Sequence, residues 1–170
     1  LKRLEVVGRD ESNLNGQGCK TNDSETLGFV EWYGNRAKEF ILRGKTADAS
    51  GYNEYFASTT AAQQANADAD MSLYYTSDAD NAAWKAWAAN KPNHKFQQAQ
   101  WEDDYASYVT VCDNNNIPSA NIQCRIFFMT MYHQSPASAL RVLGSVGASA
   151  TLAEWLNGAL SDSVLGTYTN

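Results

Sequence analysis

Two carboxylic acids twelve residues apart open the chain's chemistry, Glu11 in Arg9-Asp10-Glu11-Ser12 and Asp23 in Asn22-Asp23-Ser24-Glu25. Leu1, Leu4, Val6 and Val7 give the residues before Glu11 a helical apolar pattern, and the stretch to Gly18 then reads as a turn-rich loop. A carboxyl at such a seam is partly desolvated, which raises its pKa and keeps the proton a general acid must deliver. Asp23 stands among Asn, Ser and Thr, a hydrated setting that leaves a carboxylate ionised. One protonated acid facing one carboxylate is the apparatus of glycosidic bond hydrolysis. Glu25 and Glu31 are the alternatives for the second carboxylate.

The elements that must position these groups are helical. The chain has 170 residues, 44% hydrophobic, with five Trp, nine Tyr and six Phe, enough for one domain with a substantial core over 1–170. Alternating apolar and polar residues are nearly absent, whereas helical spacing recurs. A helix is expected over Phe29 to Arg43, closed by Gly44 as a C-cap. Ala-rich helices follow at roughly 60–74 and 79–90, the second stopping before Pro92. Phe96 to Cys112 forms a long amphipathic helix, and Asp113 to Pro118 a turn. Ser119 caps a helix running to about Gln134, Ser135-Pro136 starts another, and Leu152 to Leu160 is the last. The irregular stretch 11–28 carries the carboxylates, as loops on rigid scaffolds commonly do.

The net charge of −6 argues against nucleic acid, since no basic stripe replaces its counterions. The same charge suits a cationic polymer such as chitosan better than an anionic one. No apolar run approaches a membrane span and no signal-like segment is present, and the chain reads as a domain excised from a longer polypeptide. Cys19, Cys112 and Cys124 lack metal-ligand spacing, and with His94 and His133 the only histidines, no metal or other cofactor is expected. Cys112 and Cys124 are either a disulfide across the Asn-rich turn or two buried thiols.

Three segments together resemble the chitosanase-like branch of the lysozyme superfamily, in particular the peptidoglycan hydrolase domains of phages and type VI secretion spike proteins. The first is Glu11-Ser12 and the Asp-containing loop leading to Leu27-Gly28-Phe29. The second is Phe96-Gln-Gln-Ala-Gln-Trp-Glu-Asp-Asp-Tyr105. The third is Tyr132-His-Gln-Ser-Pro-Ala-Ser-Ala-Leu-Arg-Val-Leu143. In that family a catalytic Glu ends a helix and a catalytic Asp precedes a Gly-aromatic turn that opens the next helix. The spacing of the loop before Gly28, and His133-Gln134 in place of His-Gly, depart from the pattern.

The resemblance implies a lysozyme-like, mainly α domain with two helical lobes, a cleft and at most a small β-hairpin. It implies a muramidase cleaving the β-1,4 glycan of peptidoglycan, with Glu11 as acid and Asp23 as partner. Chitosanase is the alternative activity, and a non-catalytic acidic binding module the reading from another class. Gln100 and Asp104, one helical turn apart, are expected to bind sugar. Trp101, Tyr33 and Tyr132 are candidate stacking platforms, and His133 a structural residue. The work would be done outside the producing cytoplasm, as a toxin delivered to the periplasm or cell wall of a target bacterium. Partners would then be peptidoglycan strands and a cognate immunity protein that plugs the cleft.

Overall fold

The computed structural model describes residues 16–17 and 25–168. These are mainly helical and fall into two compact units, one ending at Glu102 and the other beginning at Asp103. In the first unit, β1 (Thr26–Leu27) and β2 (Trp32–Tyr33) form an antiparallel hairpin with Thr26 opposite Tyr33 and Leu27 opposite Trp32. It leads into α1 (Gly34–Ala47), then α2 (Ala49–Gly51), a π-helical turn at Tyr52–Phe56, α3 (Thr60–Asn66) and α4 (Asp78–Ala88). The long α5 (Lys91–Asn114) contains the boundary between the units. The second unit continues with α6 (Ile122–Gln134), α7 (Pro136–Val146), α8 (Leu152–Ser161) and a 3-10 turn at Leu165–Tyr168. No helix among the described residues is long and apolar enough to cross a membrane.

The core of the first unit is aromatic. Phe40 stacks on Trp32 at 4.2 Å and on Phe96 at 4.8 Å, and meets Trp84 edge-on at 5.5 Å. Phe56 stacks on Trp87 at 5.4 Å, and Tyr52 packs edge-on against the same indole. Trp87 places its polar edge on Asp48, Nε1 donating to Oδ2 at 2.8 Å, so a large ring is buried without a lost hydrogen bond. Asp48 also accepts from the Gly51 amide, which caps α2.

The second unit packs α6, α7 and α8 around Phe128 and Trp155, whose centroids are 5.7 Å apart. Its helix starts follow capping chemistry: Asn121 accepts from Cys124, Ser135 from Ser138 ahead of Pro136, and Thr151 closes a capping box with Glu154. Arg141 grips Asp162 with two bonds of 3.0 Å. Cys112 and Cys124 are free and buried, which resolves the open question of a disulfide in favour of thiols. Burial pushes the Cys112 thiol pKa up.

Several expectations need correction. The helix expected from Phe29 begins only at Gly34, because Gly28 to Glu31 make the hairpin turn and Trp32–Tyr33 pair as strand. Gly44 does not end that helix. It is buried inside it, where a Cβ would lie 2.6 Å from Trp87 Cη2 and 2.9 Å from Phe96 Cε1. The Ala-rich helix at 60 stops at Asn66 rather than near 74, since Asp68 takes a left-handed φ of 53°. Asn121, not Ser119, caps α6.

Gly44→Ala separates two effects. Helix propensity alone favours alanine by about 1 kcal/mol. The clash with two buried rings costs more, so a net destabilisation of about 1–3 kcal/mol is expected in denaturant unfolding.

Candidate functional site

Gly16 and Phe29, which bracket Asp23 in sequence, are held by one side chain. Gln97 on α5 is fully buried, its Nε2 donating to Gly16 O and its Oε1 accepting from the Phe29 amide, each at 3.1 Å. Gly16 and Phe29 therefore bound an interval of sequence whose two ends meet on a single amide. At its far end Gly28 takes a φ of +83°, where any Cβ would strike the Trp32 ring and Gln97 Oε1. Gln97 belongs to the Phe-Gln-Gln-Ala-Gln segment, yet sequence reasoning selected Gln100, its neighbour one turn on, and missed it. The signal was there: Gln97 follows Phe96 on an amphipathic helix, and a buried amide must find partners.

Glu25 is tied through its backbone to two other segments. The Glu25 amide donates to Tyr74 O at 2.5 Å, and Glu25 O accepts from the Gly34 amide at 2.7 Å. Its carboxyl has 0% exposure. Thr76 Oγ1 donates to Oε2 at 2.5 Å, while Oε1 has no hydrogen-bond partner among the described residues. Burial drives the Glu25 pKa up to about 7, the Thr76 bond opposes this, and the negative charge of Asp80 adds to it.

Asp80 behaves the opposite way although it too is buried. Burial pushes its pKa up, but hydrogen bonds from Tyr74, from the Ser77 hydroxyl and from the Ala61 and Ser77 amides together bring it below the usual value. The Tyr74 hydroxyl is 2.5 Å from Oδ2 and the Ser77 hydroxyl 2.8 Å. Asp80 thus sits where α3 and α4 both begin, and their amide dipoles favour its charge. Desolvation, then the bond to Asp80, raises the Tyr74 pKa, so that phenol stays protonated. One carboxyl that holds its proton and one that does not are linked through Tyr74, whose backbone binds Glu25 and whose hydroxyl binds Asp80.

Glu11 and Asp23 lie outside the described residues. Glu25, an alternative partner carboxylate, is sealed from solvent and largely protonated below neutrality. Glu31 does not stand one turn into a helix. It occupies the hairpin turn with φ 53°, its amide donating to Gly28 O. Tyr33 is 44% exposed and presents its ring to solvent. Trp101 is buried, so neither face of its indole is open to a sugar. Tyr132 packs between Tyr108 and Phe128 at 5.6 and 5.7 Å. Gln100 and Asp104 are half-buried on α5. His133 is buried with its Nδ1 3.0 Å from the Tyr108 hydroxyl, a packing role. Among the described residues no three His, Cys, Asp or Glu side chains gather as metal ligands would. Comparison of the chain with family models, curated proteins and solved structures returned no match.

Two measurements probe this arrangement. Glu25 is protonated more readily when folded than when unfolded, so its contribution is fully present below about pH 4.5 and is lost as pH rises through about 7. The loss is on the order of 3 kcal/mol. Glu25→Gln cannot ionise, so the stability difference between wild type and variant should swing toward the variant across that window; a pH-independent difference refutes the assignment. Gln97→Leu strands the Gly16 carbonyl and the Phe29 amide, and chemical denaturation should report about 2–4 kcal/mol of lost stability.

Proposed function

We propose that this domain is a glycoside hydrolase that cleaves the β-1,4 glycan of peptidoglycan by acid and base catalysis. Glu11 protonates the leaving oxygen and Asp23 holds water or supports the developing positive charge. The observation that carries the reading is the Gln97 clamp. It holds Gly16 and Phe29, which bracket Asp23 in sequence, next to a hairpin whose turn begins with Gly28-Phe29 and whose second strand runs straight into α1. The resemblance implies a Gly-aromatic turn that opens the next helix; here the two-residue strand β2 stands between that turn and α1. With Glu25 buried and protonated, Asp23 is the partner carboxylate in this proposal.

The lysozyme-like cleft between two lobes belongs to this proposal, as do a site of action in the target cell wall and an immunity protein as inhibitor. The net charge of −6 favours chitosan as a second substrate, because a polycation is drawn to an acidic surface.

Glu11→Gln keeps shape and removes the proton, so lysis of purified sacculi should fall by about 100-fold or more with the folded state intact. Asp23→Asn should lose a comparable factor. Reducing-sugar release from chitosan, measured beside sacculus turbidity, separates the two substrates. Wild-type lysis by Glu11→Gln, or no glycan cleavage by the native chain, would remove this function.

A further inference from the structure

The 71–76 segment runs between α3 and α4, and two bonds join it to the residue that precedes β1. The Glu25 amide donates to Tyr74 O, and the Thr76 hydroxyl donates to Glu25 Oε2, each at 2.5 Å. One residue thus closes this seam with its backbone and with its side chain. Elsewhere the segment is held independently of Glu25. The Met71 amide donates to Asn35 Oδ1 on α1 at 2.9 Å, and the Tyr74 hydroxyl donates to Asp80 on α4.

The carboxyl suits the closed seam only while it carries its proton. It is sealed from solvent, with one hydroxyl on Oε2 and no partner on Oε1 among the described residues. The titratable groups on the surrounding elements are Glu31 and Tyr33 in the hairpin, Arg36 and Lys38 on α1, Asp70, Tyr74 and Tyr75 ahead of α4, and Asp78 and Asp80 at its start. Asp80 acts on Glu25 with a like charge. Tyr74, kept protonated by burial and by its bond to Asp80, offers no positive one. Lys38 is engaged by Asp68 and the Ala69 carbonyl. No cation among the described residues contributes to the protonation of Glu25.

An ionised Glu25 therefore needs water, and parting the seam supplies it. The parting exposes little further surface, since Ser72, Leu73 and Tyr75 already face solvent and Tyr74 is half-buried. We infer that Glu25 is a proton-operated latch: neutral, it fastens the start of the hairpin to the 71–76 segment, and ionised, it lets the two part while α3, α4 and the aromatic core stay folded. Closure and protonation are linked because the closed seam holds a proton that the open one gives up to solvent. Burial holds the closed carboxyl at about 7 against an ordinary 4.5, so the latch is fully shut below 4.5 and is lost as pH rises through about 7. It stands apart from the glycan reading, for neither Glu11 nor Asp23 enters it.

Amide hydrogen exchange on the full chain, corrected for the intrinsic rate at each pH, reads the seam. The Glu25 amide should lose about 100-fold in protection between about pH 4.5 and 8, while the Trp87 amide inside α4 keeps its own. Glu25→Gln keeps the shape and cannot ionise, so its amide at this position should stay protected throughout. A flat wild-type profile overturns the latch. So does an equal loss at Trp87, which is global unfolding, or the same loss in the glutamine variant. The carboxyl carbon of Glu25, followed by NMR in the wild type, gives a second reading that needs no variant. Titration in step with the loss of protection supports the latch, and titration at the ordinary value of a glutamate overturns it.

Discussion

A carboxyl group removed from water holds on to its proton, and the arrangement around Glu25 follows from that constraint. An ionised Glu25 would face Asp80 across a dry interior with one hydroxyl to stabilise it, which burial makes costly. Neutral, it becomes a peg between two backbones. The hairpin lies on one side, the 71–76 segment on the other, and both are held through its own amide and carbonyl. Tyr74, Thr76 and the entry to α1 at Gly34 are all bonded to that peg.

The contrast with Asp80 shows that burial alone does not decide protonation. Both side chains are inaccessible to solvent, yet Asp80 receives two hydroxyls and stands at the start of two helices. Glu25 receives one hydroxyl and no helix terminus. Donor supply separates the two groups, and Tyr74 connects them without transferring charge, since its own proton is held more firmly still.

The starts of α7 and α8 were legible in the sequence to the residue, the first announced chemically by Ser135-Pro136, whereas α6 is capped by Asn121 and not by Ser119. The first unit was harder to read. Phe29, Val30, Tyr33 and Ala37 fit a helical face, and a two-residue strand pair is too short to register as alternation. Gly44 looked like a terminator because a glycine demanded by neighbouring rings carries the same letter as one demanded by a cap. At the site, paired carboxylates were visible as residue types. The protonation of Glu25 was not, for it depends on Thr76 and Asp80 more than fifty residues along the chain, brought near only by folding. Trp101 was mistaken for a platform because its offset from Phe96 says nothing of what covers it.

The Gln97 clamp joins two points that lie thirteen residues apart in sequence. Both tethers attach at Gly16 and Phe29, and since Glu25 and β1 are fixed ahead of Phe29, only residues before Glu25 are free to change in number. Lengthening a loop whose ends are already joined costs little, about 0.6 kcal/mol for each doubling. Loop length is thus the cheapest variable in this architecture.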